Sequence, residues 1–120
     1  MAHQQKLGHW GEDLAVAHLV KNGYKIVARN WRYGKEEIDI IARTGDFLII
    51  VEVKTRHSSQ FGDPQDFVSN AQQRHLINAA DAFVTENDLD VEVRFDIIAI
   101  TSDTTPPHLT HIEEAFYPTL

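Results

Sequence analysis

Two dense β-branched runs, Glu37-Ile-Asp39-Ile-Ile-Ala and Phe47-Leu-Ile-Ile-Val-Glu52-Val-Lys54, flank the stretch Arg43-Thr44-Gly45-Asp46. A turn signal between two strand signals predicts an antiparallel hairpin. The middle of each run is apolar on both faces, as a strand covered on both sides requires. The outer ends are charged. Glu37 and Asp39 open the first strand while Glu52 and Lys54 close the second, so a hairpin gathers all four at one end of the sheet.

The turn sets which side chains meet. With Thr44-Gly45 as a two-residue turn, or Arg43 to Asp46 as a four-residue loop, Asp39 pairs with Ile50 and Glu37 with Glu52. Side chains alternate across a strand, so Glu37, Asp39, Glu52 and Lys54 then share one face. Asp39 and Glu52 become diagonal neighbours, roughly 7–8 Å apart at the backbone, close enough for their carboxylates to converge. Opposed Glu37 and Glu52 need a cation; Lys54 is one, and a divalent metal is the obvious second. Two other readings stand beside this one. The strand ends could simply emerge into water, or a three-residue turn would send Asp39 to the face opposite Glu52.

At 120 residues the chain has the length of one domain with a real core. It has no cysteine, which excludes disulfides, thiolate metal sites and cysteine nucleophiles. No apolar stretch approaches the ~20 residues that span a bilayer. The opening Met1-Ala-His-Gln-Gln-Lys has no signal-peptide run, so a cytoplasmic location is the expectation. A net charge of −7 opposes nucleic-acid binding, which favours basic surfaces. The acidity is uneven, however. From Lys25 to Arg56 bases outnumber acids, which leaves a basic rim around the hairpin available.

Residues from about His3 to Lys21 read as a helix ending at Asn22-Gly23, a glycine stop signal. Gly8, Glu12, Ala15 and Leu19 form one stripe on it. Small residues there would let the helix approach the sheet and aim Glu12 at the hairpin; otherwise Glu12 is a surface acid near a helix N-terminus. Tyr24 to Trp31 reads as a strand. Arg29, Arg32 and Lys35 bracket Trp31 and Tyr33, a mixture that suits phosphate contact with base stacking or ordinary strand-edge packing. Asp63-Pro64 looks like an N-cap with proline at the first helical position. The helix it opens runs to about Glu86, burying Phe67, Val68, Ala71, Leu76, Ala79, Ala80 and Phe83, with Gln72, Gln73 and Arg74 facing the site or solvent. Val91 to Ile100 is a strand on which Arg94 and Asp96 read as a structural ion pair or as a second polar layer near the site. Thr110 to Tyr117 is a weaker edge strand. The seven histidines read as structural or surface residues, with no two-histidine zinc-protease pair.

The result is an α/β chain of order α-β-β-β-α-β-β, a mixed sheet with helices packed on it. Glu12, Arg29-Asn30-Trp31-Arg32, Glu37-Ile-Asp39-Ile-Ile-Ala, Val51-Glu52-Val-Lys54-Thr-Arg56, Phe61-Gly62 and Arg94-Phe95-Asp96 together resemble the YraN-like family (uncharacterised protein family 0102), from about Leu7 to Phe116. That family is similar to Holliday-junction resolvases and to the restriction-endonuclease-like, PD-(D/E)xK nucleases. The resemblance implies one restriction-endonuclease-like domain over residues 1–120, with Glu12, Asp39, Glu52 and Lys54 as the nuclease constellation and Glu37 as a weaker ligand candidate. It also implies DNA as partner, with Arg29, Arg32, Lys35, Arg56 and Gln72 as contacts. A homodimer follows by analogy with resolvases alone. Two departures stand out: Glu36 occupies a position where the family usually has glycine, and Gln72 one where it tends to carry lysine. Both lower local positive charge, which bears on DNA binding more than on metal binding.

The chemistry implied is phosphodiester hydrolysis with Mg²⁺ or Mn²⁺ held by Asp39 and Glu52, completed by Glu12. Lys54 would orient water or stabilise charge developing on the phosphorane. The rival expectation is a non-catalytic nucleic-acid-binding or adaptor protein that keeps the fold without turnover.

Overall fold

The computed structural model describes residues 2–57 and 68–118, with side chains from Gly8 onward in the first segment. The elements are α1 (Ala2–Lys21), β1 (Lys25–Tyr33), β2 (Glu36–Thr44), β3 (Phe47–Arg56), α2 (Asn70–Glu86), β4 (Glu92–Thr101) and β5 (His108–Phe116). The sheet order is β1-β2-β3-β4-β5, antiparallel except for the parallel β3–β4 pair. A parallel link needs a crossover, and α2 lies within it. This is the mixed α/β order that the hydrophobic pattern predicts.

Each face of the sheet is covered by one helix. Ala15 and Leu19 of α1 pack on Ile40, Ala42, Ile49, Val51, Ile98 and Ile100. Leu76, Ala79, Ala80 and Phe83 of α2 pack on Ile38, Ile41, Leu48, Ile50, Phe95 and Ile97. Burial on both faces accounts for the unbroken apolar runs in β2 and β3. Along β3 the alternation is regular. In β2 it breaks: Ile38 joins the α2 cluster and Ile40 the α1 cluster, so the strand turns over at Asp39. The facing stretch of β1 carries Asn30 at φ 52°, a left-handed conformation that asparagine tolerates better than most residues.

The helix ends follow local rules. Tyr24 N–H donates to Leu19 C=O at 2.9 Å and Gly23 N–H to Val20 C=O at 3.1 Å, a Schellman closure with Gly23 at φ 88°. At the other helix, Ser69 is the N-cap, its hydroxyl accepting the Gln72 N–H at 3.1 Å. The described helix thus begins later than the Asp63-Pro64 signal suggests. That dipeptide, like Phe61-Gly62 and Phe67, lies outside the described residues. Val68 is buried but precedes the helix, and Ala71 is exposed because the helix's buried stripe starts at Leu76.

The hairpin register differs from expectation. Thr44 pairs with Phe47, so the two turn residues are Gly45 (φ 57°) and Asp46, not Thr44 and Gly45. Ile41 faces Ile50 and Ile40 faces Val51. The offset is two residues, so the strand faces are kept while the partners change. Asp39 therefore does not pair with Ile50 nor Glu37 with Glu52, and the ladder stops at Ile40 and Val51.

Candidate functional site

The β2–β3 ladder ends at Ile40 and Val51, and beyond it the strands part. Asp39 sits in that gap, its Oδ2 accepting the Val53 N–H at 2.8 Å. Glu52 and Lys54 lie on the α2 side of β3. Lys54 Nζ is 3.4 Å from Glu52 Oε1, and Gln72 of α2 bridges them, donating Nε2–H to Glu52 Oε1 at 2.9 Å and accepting from Lys54 Nζ at 3.4 Å. Glu12 arrives from α1 on the other face. The expectation that four charges share one face is therefore met for Glu52 and Lys54 alone, because the end of the ladder opens the site to both faces.

Glu12, Asp39, Glu52 and Lys54 line one cavity of about 500 Å³, together with Gly8, Val53, Thr55, Arg56 and His57. The close approach of α1 comes from Gly11, whose place a Cβ could not share with Thr55 Oγ1; Gly8, the glycine on the proposed stripe, has open space around it. Glu12 Oε1 is buried without a hydrogen-bond partner. Arg29 Nη2 stands 3.7 Å from it and 2.9 Å from Asp13 Oδ1.

Burial pushes the Asp39 carboxyl up to about 8, and the charges of Glu52, Glu12 and Glu37 act the same way against the Val53 N–H. Burial also raises Glu52, opposed by Lys54 and Gln72. A buried and a half-buried carboxylate with one ammonium hold either a proton or a further cation. The donors are all oxygen, which suits a hard cation. Among the described residues, no three of His, Cys, Asp and Glu are drawn into a ready-made metal cage. The acids line a shared cavity without converging on one point.

The remaining candidates are placed as follows. Glu37 pairs with Arg32 at 3.1 Å across the β1–β2 ladder and does not line the cavity. Arg29 and Arg32 are thus both engaged by acids. Lys35 is exposed in the β1–β2 turn. Arg56 lines the cavity and donates to Thr55 C=O at 2.9 Å. Trp31 packs edge-on against Phe83 of α2, and Tyr33 stacks on Trp31 with centroids 6.4 Å apart. Arg94 and Asp96 form the structural pair, Arg94 Nε and Nη2 donating to Asp96 at 2.9 Å each. β3 runs on to Arg56, so Thr55 and Arg56 are strand residues and His57 follows the strand.

A family model described as uncharacterised protein family UPF0102 matches residues 11–100. The chain belongs to the UPF0102 family, which is the YraN-like family. A UPF0102 protein of Flavobacterium psychrophilum is 50% identical over 117 residues, 98% of each chain. One from Phocaeicola vulgatus is 45% identical over 118 residues, again 98% of each, and one from Bacteroides thetaiotaomicron is 44% identical over 120 residues, covering 100% of this chain and 99% of the relative. The UPF0102 match takes in Glu12, Asp39, Glu52, Lys54 and Gln72. Among the described residues no helix is long and apolar enough to cross a membrane.

Proposed function

We propose that this UPF0102 protein is a metal-dependent nuclease that hydrolyses DNA phosphodiester bonds, with branched or damaged DNA as its substrate class. The observation that carries the reading is the single cavity into which α1, β2 and β3 bring Glu12, Asp39, Glu52 and Lys54. The family's likeness to PD-(D/E)xK nucleases and Holliday-junction resolvases supports it as analogy.

Asp39 and Glu52 would hold Mg²⁺ or Mn²⁺, with Glu12 supplying a third carboxylate. The Glu12 oxygen without a hydrogen bond, 3.7 Å from Arg29, and the raised Asp39 carboxyl both fit a site with room for a further cation. Such an ion supplies Lewis acidity and lowers the pKa of water at the scissile phosphate. Lys54 is held by Glu52 and Gln72 and is positioned to orient that water or to stabilise negative charge on the phosphorane. Asp39 is fixed by the Val53 N–H, so one of its oxygens remains for the cation. Arg56 and His57 lie at the cavity wall, where a phosphate would enter.

The test is cleavage of linear, nicked, flap and four-way-junction DNA with Mg²⁺ or Mn²⁺. Activity should fall by roughly 10²–10³-fold in Lys54→Ala, as for loss of one charge-stabilising donor. Unchanged activity in that variant would overturn the assignment. The second reading is a non-catalytic nucleic-acid-binding or adaptor protein. It is favoured by the engagement of Arg29 and Arg32 with acids, which withdraws two cations from phosphate. DNA binding without turnover on every substrate would select it.

A further inference from the structure

The end of α1 remote from the carboxylate cavity meets β4 and β5 in a second polar cluster. Asp96 is fully buried and accepts from Arg94, from His111 Nε2 at 2.7 Å and from the Glu114 N–H at 3.1 Å. With Nε2–H given to Asp96, a neutral His111 presents the lone pair of Nδ1 outward. That nitrogen lies 3.1 Å from His18 Nε2 of α1. Both rings line a cavity of about 590 Å³ with Asn22, Tyr24, Thr44, Arg94 and Glu113.

We propose that His18 and His111 form a site for an imidazole-preferring divalent ion of the Zn²⁺ or Co²⁺ class, separate from the carboxylate cavity. Imidazole nitrogens bound to zinc lie about 2.0–2.1 Å from the metal, which at a tetrahedral angle sets them roughly 3.4 Å apart. The observed 3.1 Å is close to that, and the rings must turn so that both lone pairs meet at the ion instead of along the line between the two nitrogens. A carboxylate on the far nitrogen is the arrangement that orients metal-bound histidine, and Asp96 already holds His111 this way. Two protein nitrogens are supplied, with water from the cavity in the remaining positions. Glu113, at the same cavity, is exposed and is engaged through Oε1 by Tyr24 and Arg94, so the two imidazoles are the only protein donors to the ion.

Protons balance without net release. In the free chain His18 Nε2–H donates to His111 Nδ1. On binding, that proton moves through solvent to His18 Nδ1, from which water accepts, while Asn22 Nδ2 keeps its bond to the His18 C=O at 2.7 Å. Soft-to-borderline ions prefer this pair, whereas Mg²⁺ prefers the all-oxygen cavity.

The experiment is titration of the full chain with Zn²⁺ by calorimetry and with Co²⁺ by visible absorption, whose bands report nitrogen ligation. The Co²⁺ bands of nitrogen ligation should saturate at one equivalent, the affinity read from them should fall by at least tenfold in His18→Ala, and it should persist in His75→Ala and in Asp39→Ala. His111→Gln serves as a second variant if His18→Ala does not fold. The proposal is overturned by the absence of saturable binding, by affinity unchanged in His18→Ala, or by equal loss in His75→Ala. Loss in Asp39→Ala would also overturn it, by placing the ion in the carboxylate cavity.

Discussion

Asp39 Oδ2 accepts the Val53 N–H at 2.8 Å, so a side chain of β2 takes over where the ladder to β3 stops. The bond lets the strands part while fixing both at the cavity mouth. Its acceptor is a carboxyl that burial and neighbouring acids push up to about 8.

This shift gives a pH dependence of definite sign. An acid whose folded pKa lies above its unfolded value binds more protons when folded. Stability from this group is therefore full below the unfolded value of 3.8 and is lost as pH rises through about 8. Asp39→Asn keeps an oxygen for Val53 and removes the charge. It should raise the thermal midpoint at pH 9, with the gain shrinking toward pH 5. An unchanged midpoint at pH 9 would contradict the assigned environment.

Asp96 carries the opposite dependence. Burial alone would raise it, but hydrogen bonds from His111, Arg94 and the Glu114 N–H prevail and hold it below the usual value. Its contribution is present above the unfolded pKa and is lost as pH falls through the lower, folded one. Replacing Arg94 by methionine leaves a fully buried carboxylate short of its main cation. Such removals cost about 3–5 kcal/mol, and urea denaturation should show it.

Gly11 predicts a steric effect. Gly11→Ala should destabilise by about 1–3 kcal/mol despite alanine's better helix propensity, since the new Cβ meets Thr55 Oγ1. Thr55→Ala in the same chain should recover part of that loss. Strict additivity in the double-mutant cycle would place α1 further from β3 than observed.

Gln72 predicts a change in partner affinity. Its amide bridges Glu52 and Lys54, and Gln72→Lys would add a cation at the same place. DNA binding should tighten, with the salt dependence steepened by about one phosphate contact. An unchanged salt slope would remove position 72 from the DNA-facing surface.

Much of this was legible beforehand because the informative residues lie in strands. Period-two patterning located β2 and β3, and the side on which Glu52 and Lys54 stand. Helical spacing left Glu12 as either a site residue or a surface acid, and the family resemblance favoured the first. The turn was misplaced because Thr44-Gly45 and Gly45-Asp46 are both plausible two-residue turns that leave every side chain on the same face, so alternation does not distinguish them. Asp39's reversal at the strand kink has no signature in alternation, since it is an interruption of alternation; Asn30 was the one visible hint. The role of Gly11 was hidden because any small residue on an approaching helix looks alike until its neighbour, Thr55, is known. The link between His18 and His111, far apart in the chain, required the packing of α1 against β5.

The central claim is that carboxylates from β2 and β3, with Glu12, form a cavity that binds a hard divalent cation. Calorimetric titration with Mn²⁺ in the presence of four-way-junction DNA tests it most directly. Saturable binding by the unaltered protein, weakened at least roughly tenfold, or about 1.4 kcal/mol, in Asp39→Ala and unchanged in His18→Ala, is the predicted result. Mn²⁺ binding that is equally strong in Asp39→Ala, or absent from the unaltered protein with DNA present, would contradict it.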